Sequence, residues 1–261
     1  MEEKFLAYCI LIIFAFIAEL IDGAIGMGYG VSLTTFLLSI GIGTAMASAC
    51  VHISEIFTTL VSGISHFKIG NFDKKTFTYL AISGVIGGVS GGYTAVTFQN
   101  VSLVRPGVSG ILLLMGLLII KKYFSKKNIV EQKYDIPRGR HLIPLGLIAS
   151  FIDAIGGGGW GPISTTALVV NNTHPQKTIG SVNFAEFFVT LSISLTFLLT
   201  LPRIEWGIVL PMIIGGVIAA PLAALITKIL PHKTLGIVVG FVIMFLSLRT
   251  IFQAMGIGFL F

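Results

Sequence analysis

The sequence predicts an all-α polytopic membrane protein of about ten transmembrane segments, arranged as two inverted five-helix repeats with glycine-broken helices. Three observations predict this fold class: a very apolar composition, apolar runs of spanning length along the whole chain, and an internal repeat. Only 11% of the 261 residues are charged and 54% are hydrophobic, whereas a soluble domain carries about 25% charged residues. Water is therefore not the main solvent of this chain.

Apolar runs long enough to cross a bilayer, about 20 residues, recur from one end of the chain to the other. We place the segments at 5–22, 31–48, 49–66, 77–98, 103–121, 141–155, 162–173, 180–200, 207–229 and 234–254. The second and seventh are short, so some segments are expected to be broken or re-entrant.

The net charge of +6 reflects orientation in the membrane and does not indicate nucleic-acid binding. Lys and Arg concentrate in the loops after segments three, five and nine, and positive loops favour the cytoplasm. Both termini are therefore predicted outside, in a multi-pass protein of the inner (cytoplasmic) membrane whose partner is the lipid bilayer. The predicted organisation is a first repeat at 1–120, a basic cytoplasmic linker at 121–140 and a second repeat at 141–261.

The two halves match each other at a single offset of 131 residues, the separation of Asp22 and Asp153. The same offset pairs Glu55 with Glu186, and it pairs the stretch GAIGMGYG with AIGGGGWG. Because each half has an odd number of predicted spans, the second copy enters the membrane from the opposite side. That arrangement is an inverted repeat, which is frequent in secondary transporters.

The two glycine-rich stretches are predicted to be breaks between half-helices. Irregular backbone inside a bilayer occurs only where it is buried in protein or lines a cavity. A helix that starts after a break points free N–H groups at it, and these groups favour an anion. The candidate substrate-binding residues are the motif glycines, two aromatic walls and the hydroxyls of the next turns: Gly26, Gly28, Tyr29, Gly30, Thr34, Thr35, Gly157, Gly159, Trp160, Gly161, Thr165 and Thr166. The alternative is that the glycines serve only close helix packing.

Polar and ionisable residues within the apolar segments are candidates for proton coupling. A carboxylate at the bilayer centre costs about 2.5–3.5 kcal/mol even on lenient scales. Such a group therefore faces a cavity, finds a partner or stays protonated. The candidates are Asp22, His52, Glu55, Asp153, Asn183 and Glu186. Hydrogen bonding that locks neighbouring helices together is the alternative role.

A polar stripe on segment three indicates a lined pathway. Its residues follow steps of three and four, which keeps them on one helical face: His52, Glu55, Thr59, Ser62 and His66. His52 lies one turn from Glu55, and such a pair can pass a proton. His66 is expected at the cytoplasmic mouth. Glu19 and Asp22 are one turn apart, which leaves open that one of them is interfacial.

No Lys or Arg is obvious inside the membrane segments, so an anion site must rely on helix ends and hydroxyls. Nearby carboxylates would repel a bound anion unless they are protonated, which is a physical reason to link anion movement to protons. The two cysteines, Cys9 and Cys50, lie in apolar segments and indicate no metal site. No cofactor and no catalytic residue is predicted.

Five stretches resemble a known family and cover nearly the whole chain: AELIDGAIGMGYGVSLTT, GTAMASACVHISEIFTTLVSGISHFKIGNFDKK, GGVSGG, FIDAIGGGGWGPISTT and SVNFAEFF. On these stretches the chain resembles the TauE/SafE sulfite-exporter family of transmembrane permeases. The resemblance implies transport of a sulfur-containing anion such as sulfite, sulfoacetate or a related organosulfonate. It also implies a role around the two breaks and the acids Asp22, Glu55, Asp153 and Glu186.

The predicted function is a secondary transporter that exports such an anion and is coupled to protons. An anion channel or uniporter of the same fold is the nearest alternative. An intramembrane aspartyl enzyme using Asp22 and Asp153 is a more distant one, because both acids lie beside flexible glycine breaks without a Gly-x-Gly-Asp arrangement. A homodimer is left open.

Overall fold

The computed structural model describes residues 2–98, 137–171 and 173–255, together with isolated positions between 110 and 124. Every regular element within these residues is a helix. In chain order the helices are α1 Glu2–Ile25, α2 Tyr29–Ser39, α3 Thr44–Lys68, α4 Lys74–Thr97, α5 Gly139–Gly156, α6 Trp160–Val170, α7 Pro175–Thr200, α8 Trp206–Ile229 and α9 His232–Ala254.

The helix boundaries follow the predicted segments closely, with one difference. The segment predicted at 31–48 is divided: α2 ends at Ser39, a turn follows, and α3 begins at Thr44, earlier than expected. The turn contains Gly41 at a φ of +90°, a conformation that glycine adopts readily. The segment predicted at 103–121 and most of the linker at 121–140 lie outside the described residues.

An all-α polytopic membrane protein is confirmed as the fold class. Five of the described helices, α1, α3, α4, α7 and α8, are long and apolar enough to cross a bilayer. Helices α2 and α6 have 11 residues each, and at about 1.5 Å per residue they are too short to cross a hydrocarbon core of about 30 Å. The full count of ten spans and their inverted orientation stay predictions.

The offset seen in the sequence reappears in the helices. Helix α6 begins and ends 131 residues after α2, and α7 begins 131 residues after α3. The contacts between helices repeat in the same way, because α5, α7 and α8 are the repeat counterparts of α1, α3 and α4. The contact of α1 with α8 corresponds to that of α5 with α4, and the contact of α3 with α8 corresponds to that of α7 with α4. Helices α3 and α7 pack on each other. The two halves therefore interleave, and the core lies between them.

Glycines on α4 and α8 allow the closest of these contacts. A Cβ atom at Gly87 on α4 would lie 2.2 Å from the carbonyl oxygen of Leu147 on α5. In the matching contact, a Cβ atom at Gly215 on α8 would lie 2.1 Å from the carbonyl oxygen of Ile12 on α1. Close packing through small residues is how helices associate in a membrane, so these glycines bring the two halves together.

Gly87→Ala is expected to destabilise the protein by about 1–3 kcal/mol, because the added methyl group forces α4 away from α5. The melting temperature in detergent measures the effect. Gly207→Ala on α8 is the matched control, since its Cβ atom would meet nothing closer than 3.6 Å. The control should melt at or above the wild-type temperature, because alanine favours a helix over glycine. Equal melting of Gly87→Ala and wild type would contradict the packing.

Candidate functional site

The two glycine-rich stretches form the breaks between helices that the sequence predicts. The first break, Gly26–Gly28, joins α1 to α2, and the second, Gly157–Gly159, joins α5 to α6. Gly26 and Gly28 have φ values of +77° and +133°, and Gly157 and Gly158 have +66° and +152°. Side chains other than hydrogen rarely fit these conformations, so the breaks depend on glycine.

Each short helix begins with a backbone N–H that is bound by an aspartate. The Asp22 carboxylate accepts a hydrogen bond of 3.1 Å from the backbone N–H of Tyr29, at the start of α2. The Asp153 carboxylate accepts one of 2.6 Å from the backbone N–H of Gly159, at the start of α6. A helix N-terminus attracts negative charge through its unpaired N–H groups. In this structure the protein's own acids occupy that position.

The two breaks bind each other through a reciprocal pair of hydrogen bonds. The Thr165 hydroxyl on α6 donates to the carbonyl oxygen of Gly26 at 2.8 Å. The Thr34 hydroxyl on α2 donates to the carbonyl oxygen of Gly157. The repeat offset exchanges these two contacts. Both hydroxyls were expected to face a substrate, and they can do so only if these bonds open.

Two further glycines let the breaks touch at backbone distance. A Cβ atom at Gly30 would lie 2.9 Å from the Cα atom of Gly158, and one at Gly161 would lie 2.5 Å from the carbonyl oxygen of Gly26. Both glycines lie one residue inside the short helices, which begin at Tyr29 and Trp160, and at these two positions glycine serves close packing. The breaks form one central structure.

The aromatic residues that open the short helices are buried and anchored. The Tyr29 hydroxyl lies 3.0 Å from the Ser54 hydroxyl and donates to the Met212 carbonyl at 3.3 Å. The Trp160 ring N–H donates to the carbonyl oxygen of Val182 at 3.2 Å. These bonds fix the first turns of α2 and α6 against the long helices.

Two hydroxyls on α6 lie in the interior without a hydrogen-bond partner among the described residues. They belong to Ser164 and Thr166, both fully buried. A buried hydroxyl without a partner loses its bonds to water, so these two groups are free to meet a ligand. The Thr35 side chain, which the repeat pairs with Thr166, lies outside the described part of the structure.

His52 and Asp153 form a buried pair that joins the two halves. Nε2 of His52 lies 3.1 Å from a carboxylate oxygen of Asp153, and Nδ1 lies 2.7 Å from the carbonyl oxygen of Ser48. A carbonyl only accepts, so Nδ1 carries a hydrogen. One further proton lies between Nε2 and the carboxylate. If His52 carries it, the pair is an imidazolium and a carboxylate; if Asp153 carries it, both groups are neutral. The net charge of the pair is zero in both forms.

Glu55 lies where the two breaks cross. A Cβ atom at Gly30 would be 3.1 Å from a carboxyl oxygen of Glu55 and 2.9 Å from the Cα atom of Gly158. The carboxyl group of Glu55 therefore reaches the contact between the breaks. Asp22 and Asp153 are among its electrostatic neighbours. A change in its charge acts directly on the place where the halves meet.

Glu186, the repeat partner of Glu55, belongs to the same cluster. Its electrostatic neighbours include Asp22, Glu55 and Asp153. One of its carboxyl oxygens is buried without a hydrogen-bond partner among the described residues. The acids that the sequence pairs at one offset are thus brought together in the interior.

Asn183 takes a different role from His52, its repeat partner. Its side-chain amide donates to the Ser62 hydroxyl at 3.2 Å and to the carbonyl oxygen of Gly23 at 3.5 Å. Among the described residues it makes no bond that resembles the pairing of His52 with Asp153. The two halves therefore share a backbone plan and differ in charge at this position.

His66 and Glu19 are both buried within the helix packing. His66 is fully buried, and its ring donates to the Gly23 carbonyl at 2.8 Å, because the last carbonyls of α1 need partners where that helix ends. Glu19 is also buried, at 1% exposure. The position of His66 at the cytoplasmic mouth stays a prediction, and an interfacial position of Glu19 or Asp22 stays open. The signal for Glu19 was present in the sequence as a lone acid inside an apolar run.

The described residues contain no group of three His, Cys, Asp or Glu side chains placed to hold a metal ion. The site instead consists of two helix N-termini, several hydroxyls and a set of buried carboxyls. Such a site can exchange protons, and it can exchange one anion for another at the helix ends.

Comparison with known proteins identifies the family. The profile of the sulfite exporter TauE/SafE family matches residues 11–250, which include both breaks and all the acids described above. The chain belongs to the TauE/SafE family. No solved structure matches it.

Two relatives of this TauE/SafE protein come from Bacillus subtilis (strain 168). The Probable membrane transporter protein YtnM is 40% identical over 248 residues, which cover 92% of this chain and 82% of the relative. The Probable membrane transporter protein YdhB is 22% identical over 224 residues, which cover 82% of this chain and 86% of the relative. The family and both names indicate a membrane transporter.

Thr165→Val is expected to lower the free energy of unfolding by about 1–3 kcal/mol, because it leaves the buried Gly26 carbonyl without its donor. Thr166→Val removes the same kind of hydroxyl from the next residue, where it has no partner among the described residues. It should melt at or above the wild-type temperature. Melting curves of the two variants in detergent test this, and equal losses would show that the contact between the breaks is not stabilising.

Proposed function

We propose that this TauE/SafE protein is a secondary transporter that exports a small sulfur-containing anion, such as sulfite or an organosulfonate, and that this transport is coupled to protons. The family and the names of its relatives support transport across a membrane. The anion and the coupling are our inference from the site. The orientation we propose has both termini outside, and accessibility of introduced cysteines to a membrane-impermeant reagent would test it.

The observation that carries the proposal is the pair of aspartates at the helix N-termini. Asp22 binds the start of α2 and Asp153 binds the start of α6. A carboxylate and a sulfur oxyanion both present negatively charged oxygens to an N–H donor. The substrate therefore takes the place of one or both carboxylates when the site is loaded. Ser164 and Thr166, which have no hydrogen-bond partner among the described residues, supply further donors.

Protons make this replacement favourable. A protonated aspartate no longer offers a charge to the helix N-terminus, and it no longer repels an incoming anion. Proton and anion then bind with mutual support, and by linkage each raises the affinity for the other. The affinity for the anion therefore rises as the pH falls. Glu55 lies where the breaks cross, so the protonation of its carboxyl group responds to a bound anion.

The first experiment is transport by the purified protein in liposomes, with labelled sulfite and labelled sulfoacetate run in parallel. An imposed gradient of one pH unit amounts to about 1.4 kcal/mol per proton, enough to concentrate a co-transported anion about tenfold. Accumulation of either anion against its own gradient supports the proposal. Flux that only dissipates the anion gradient would favour a uniporter or channel. Absence of flux with both anions would contradict the substrate class.

Glu55→Gln is expected to keep the fold and to remove the pH dependence of transport, because glutamine has the shape of the protonated acid but cannot exchange a proton. Initial rates at acidic and alkaline pH measure this. Glu205→Gln changes an acid in the exposed loop before α8 and serves as the control. A pH profile of Glu55→Gln that matches wild type would refute the role of Glu55.

Gly159→Leu is expected to abolish anion binding, since the side chain fills the break where α6 begins. A Cβ atom there already lies 3.2 Å from the backbone nitrogen of Asp153. Gly28→Leu should act in the same way in the first half. Gly43→Leu is the control, because that glycine faces open space in the turn before α3. Calorimetric titration with sulfite decides the outcome, and wild-type affinity in Gly159→Leu would argue against a site at the breaks.

A further inference from the structure

Glu19 is a buried acid for which the proposed mechanism has no use. It lies on α1, one turn before Asp22, and it is 1% exposed. Both of its carboxyl oxygens are buried and make no hydrogen bond of ordinary geometry among the described residues, although the hydroxyls of Ser62 and Thr58 lie near enough to interact with them. An ionised carboxylate in such a place is costly, so the neutral acid fits this conformation.

The groups around Glu19 come from several helices. They include the carboxyls of Asp22 on α1 and Glu55 on α3, and the hydroxyls of Thr58 and Ser62 on α3. Glu186 on α7 and the hydroxyl of Tyr29 on α2 also interact with it. Helix α8 packs along α1 and contributes the methyl group of Ala223 beside Gly23, next to the carboxyl. Glu19 is therefore in electrostatic contact with the central acids without sharing their hydrogen bonds.

A string of polar side chains leads from Glu19 to the loop between α3 and α4. A Cβ atom at Gly23 would lie 3.1 Å from a carboxyl oxygen of Glu19 and 3.2 Å from the Ser62 hydroxyl, so these two groups face the same space. His66 donates to the Gly23 carbonyl at 2.8 Å, and Asn71 donates to the other ring nitrogen of His66 at 3.3 Å. Ser62 and His66 can both give and accept protons.

Asn183 holds this string in place. Its amide donates both to the Ser62 hydroxyl and to the Gly23 carbonyl that His66 binds. From Ser62 to Asn71 the string follows nine residues along the chain, from the interior of α3 to the loop beyond Lys68. The polar groups thus lie in a row from the central acids to the end of α3 that carries Lys68, and Ser62 and His66 are linked through Asn183 and the Gly23 carbonyl.

The second half has no such string. At the repeat offset, the four polar residues of the first half, Glu19, Ser62, His66 and Asn71, are replaced by Ser150, Ile193, Phe197 and Pro202. Ile193 and Phe197 are fully buried. The ring of Phe197 lies 6.2 Å from that of His52, measured between centroids. Ile193 and Phe197 therefore form an apolar plug. Phe197 lies beside His52, and it stands at the position that corresponds to His66 in the first half.

From this contrast we infer that Glu19 is the carboxyl at which the transported proton is taken up and released, and that Ser62, His66 and Asn71 open it to the α3–α4 loop side only. The inference rests on the proposed proton-coupled transport. It involves one proton that moves between Glu19 and Glu55 or Asp22, with no other bond made or broken. The polar side chains of α3 then form the path of the proton, and the breaks form the binding site of the anion.

The test compares Glu19→Gln, Glu19→Asp and Glu205→Gln in liposomes with labelled sulfite and sulfoacetate. Exchange of anion across the membrane at equal pH needs no net proton movement, so Glu19→Gln should keep it. Uptake driven by a pH gradient should fall about a hundredfold, the scale of a lost proton-transfer group. Glu19→Asp should restore most of that uptake, and Glu205→Gln should behave as wild type. Full gradient-driven uptake by Glu19→Gln would overturn the inference.

His66→Phe gives the loop-side path its own test, because it copies the apolar plug of the second half. Gradient-driven uptake should slow while exchange at equal pH continues. If Glu19→Gln loses exchange as well, this variant decides: wild-type uptake by His66→Phe would overturn the inference, and slowed uptake would support it.

An infrared titration of the purified protein tests Glu19 without any substrate. The carboxylic C=O band that remains at neutral pH, where exposed carboxyls are already ionised, and that disappears as the pH rises further should be weaker by one group in Glu19→Gln and unchanged in Glu205→Gln. An unchanged band in Glu19→Gln would refute the assignment even if no anion is transported. Failure of wild type to carry either anion would contradict the proposed function alone, and the infrared result would still decide the role of Glu19.

Discussion

The contact between the two glycine breaks is the interaction on which the rest of the structure depends. A chain that leaves helical geometry inside a bilayer exposes backbone groups that lipid cannot satisfy. Here each break supplies the missing donor for the other, through Thr165 to Gly26 and Thr34 to Gly157. The backbones then approach so closely that a side chain at Gly158 or Gly161 would overlap its neighbour. Neither half completes its break alone, so the fold and the site arise together.

Charge sets the second constraint. Five acids are buried among the described helices, and His52 pairs with one of them. Two of these acids, Asp22 and Asp153, lie at helix N-termini, where a negative charge is stabilised by the backbone. In the mechanism that we propose, these carboxyl groups occupy the positions that suit a substrate anion. The substrate replaces a carboxylate there when protonation removes the charge of the carboxylate.

The two halves share one arrangement of helices, and they differ in the side chains around the central acids. Helices α2 and α6, and the contacts that hold them, agree at one offset. The side chains around the central acids do not agree. His52 of the first half pairs with Asp153 of the second, whereas Asn183 of the second half binds Ser62 and the Gly23 carbonyl of the first. A repeated scaffold suits a site that opens to either side, and the unequal polar linings are the reason why we propose that protons enter from one side.

The sequence alone determined the helices, the breaks and the identity of the central acids. Apolar runs of spanning length, glycine-rich stretches and acids inside apolar segments are local signals, because they are visible in the sequence without knowledge of the partner. The tertiary structure decided which groups meet. Thr34 and Thr165 use their hydroxyls across the halves, and His66 and Glu19 lie deep inside, because α1 ends where α3, α7 and α8 converge. A hydrogen-bond partner more than a hundred residues away leaves no mark on the periodicity of a helix, so only the packed fold shows it.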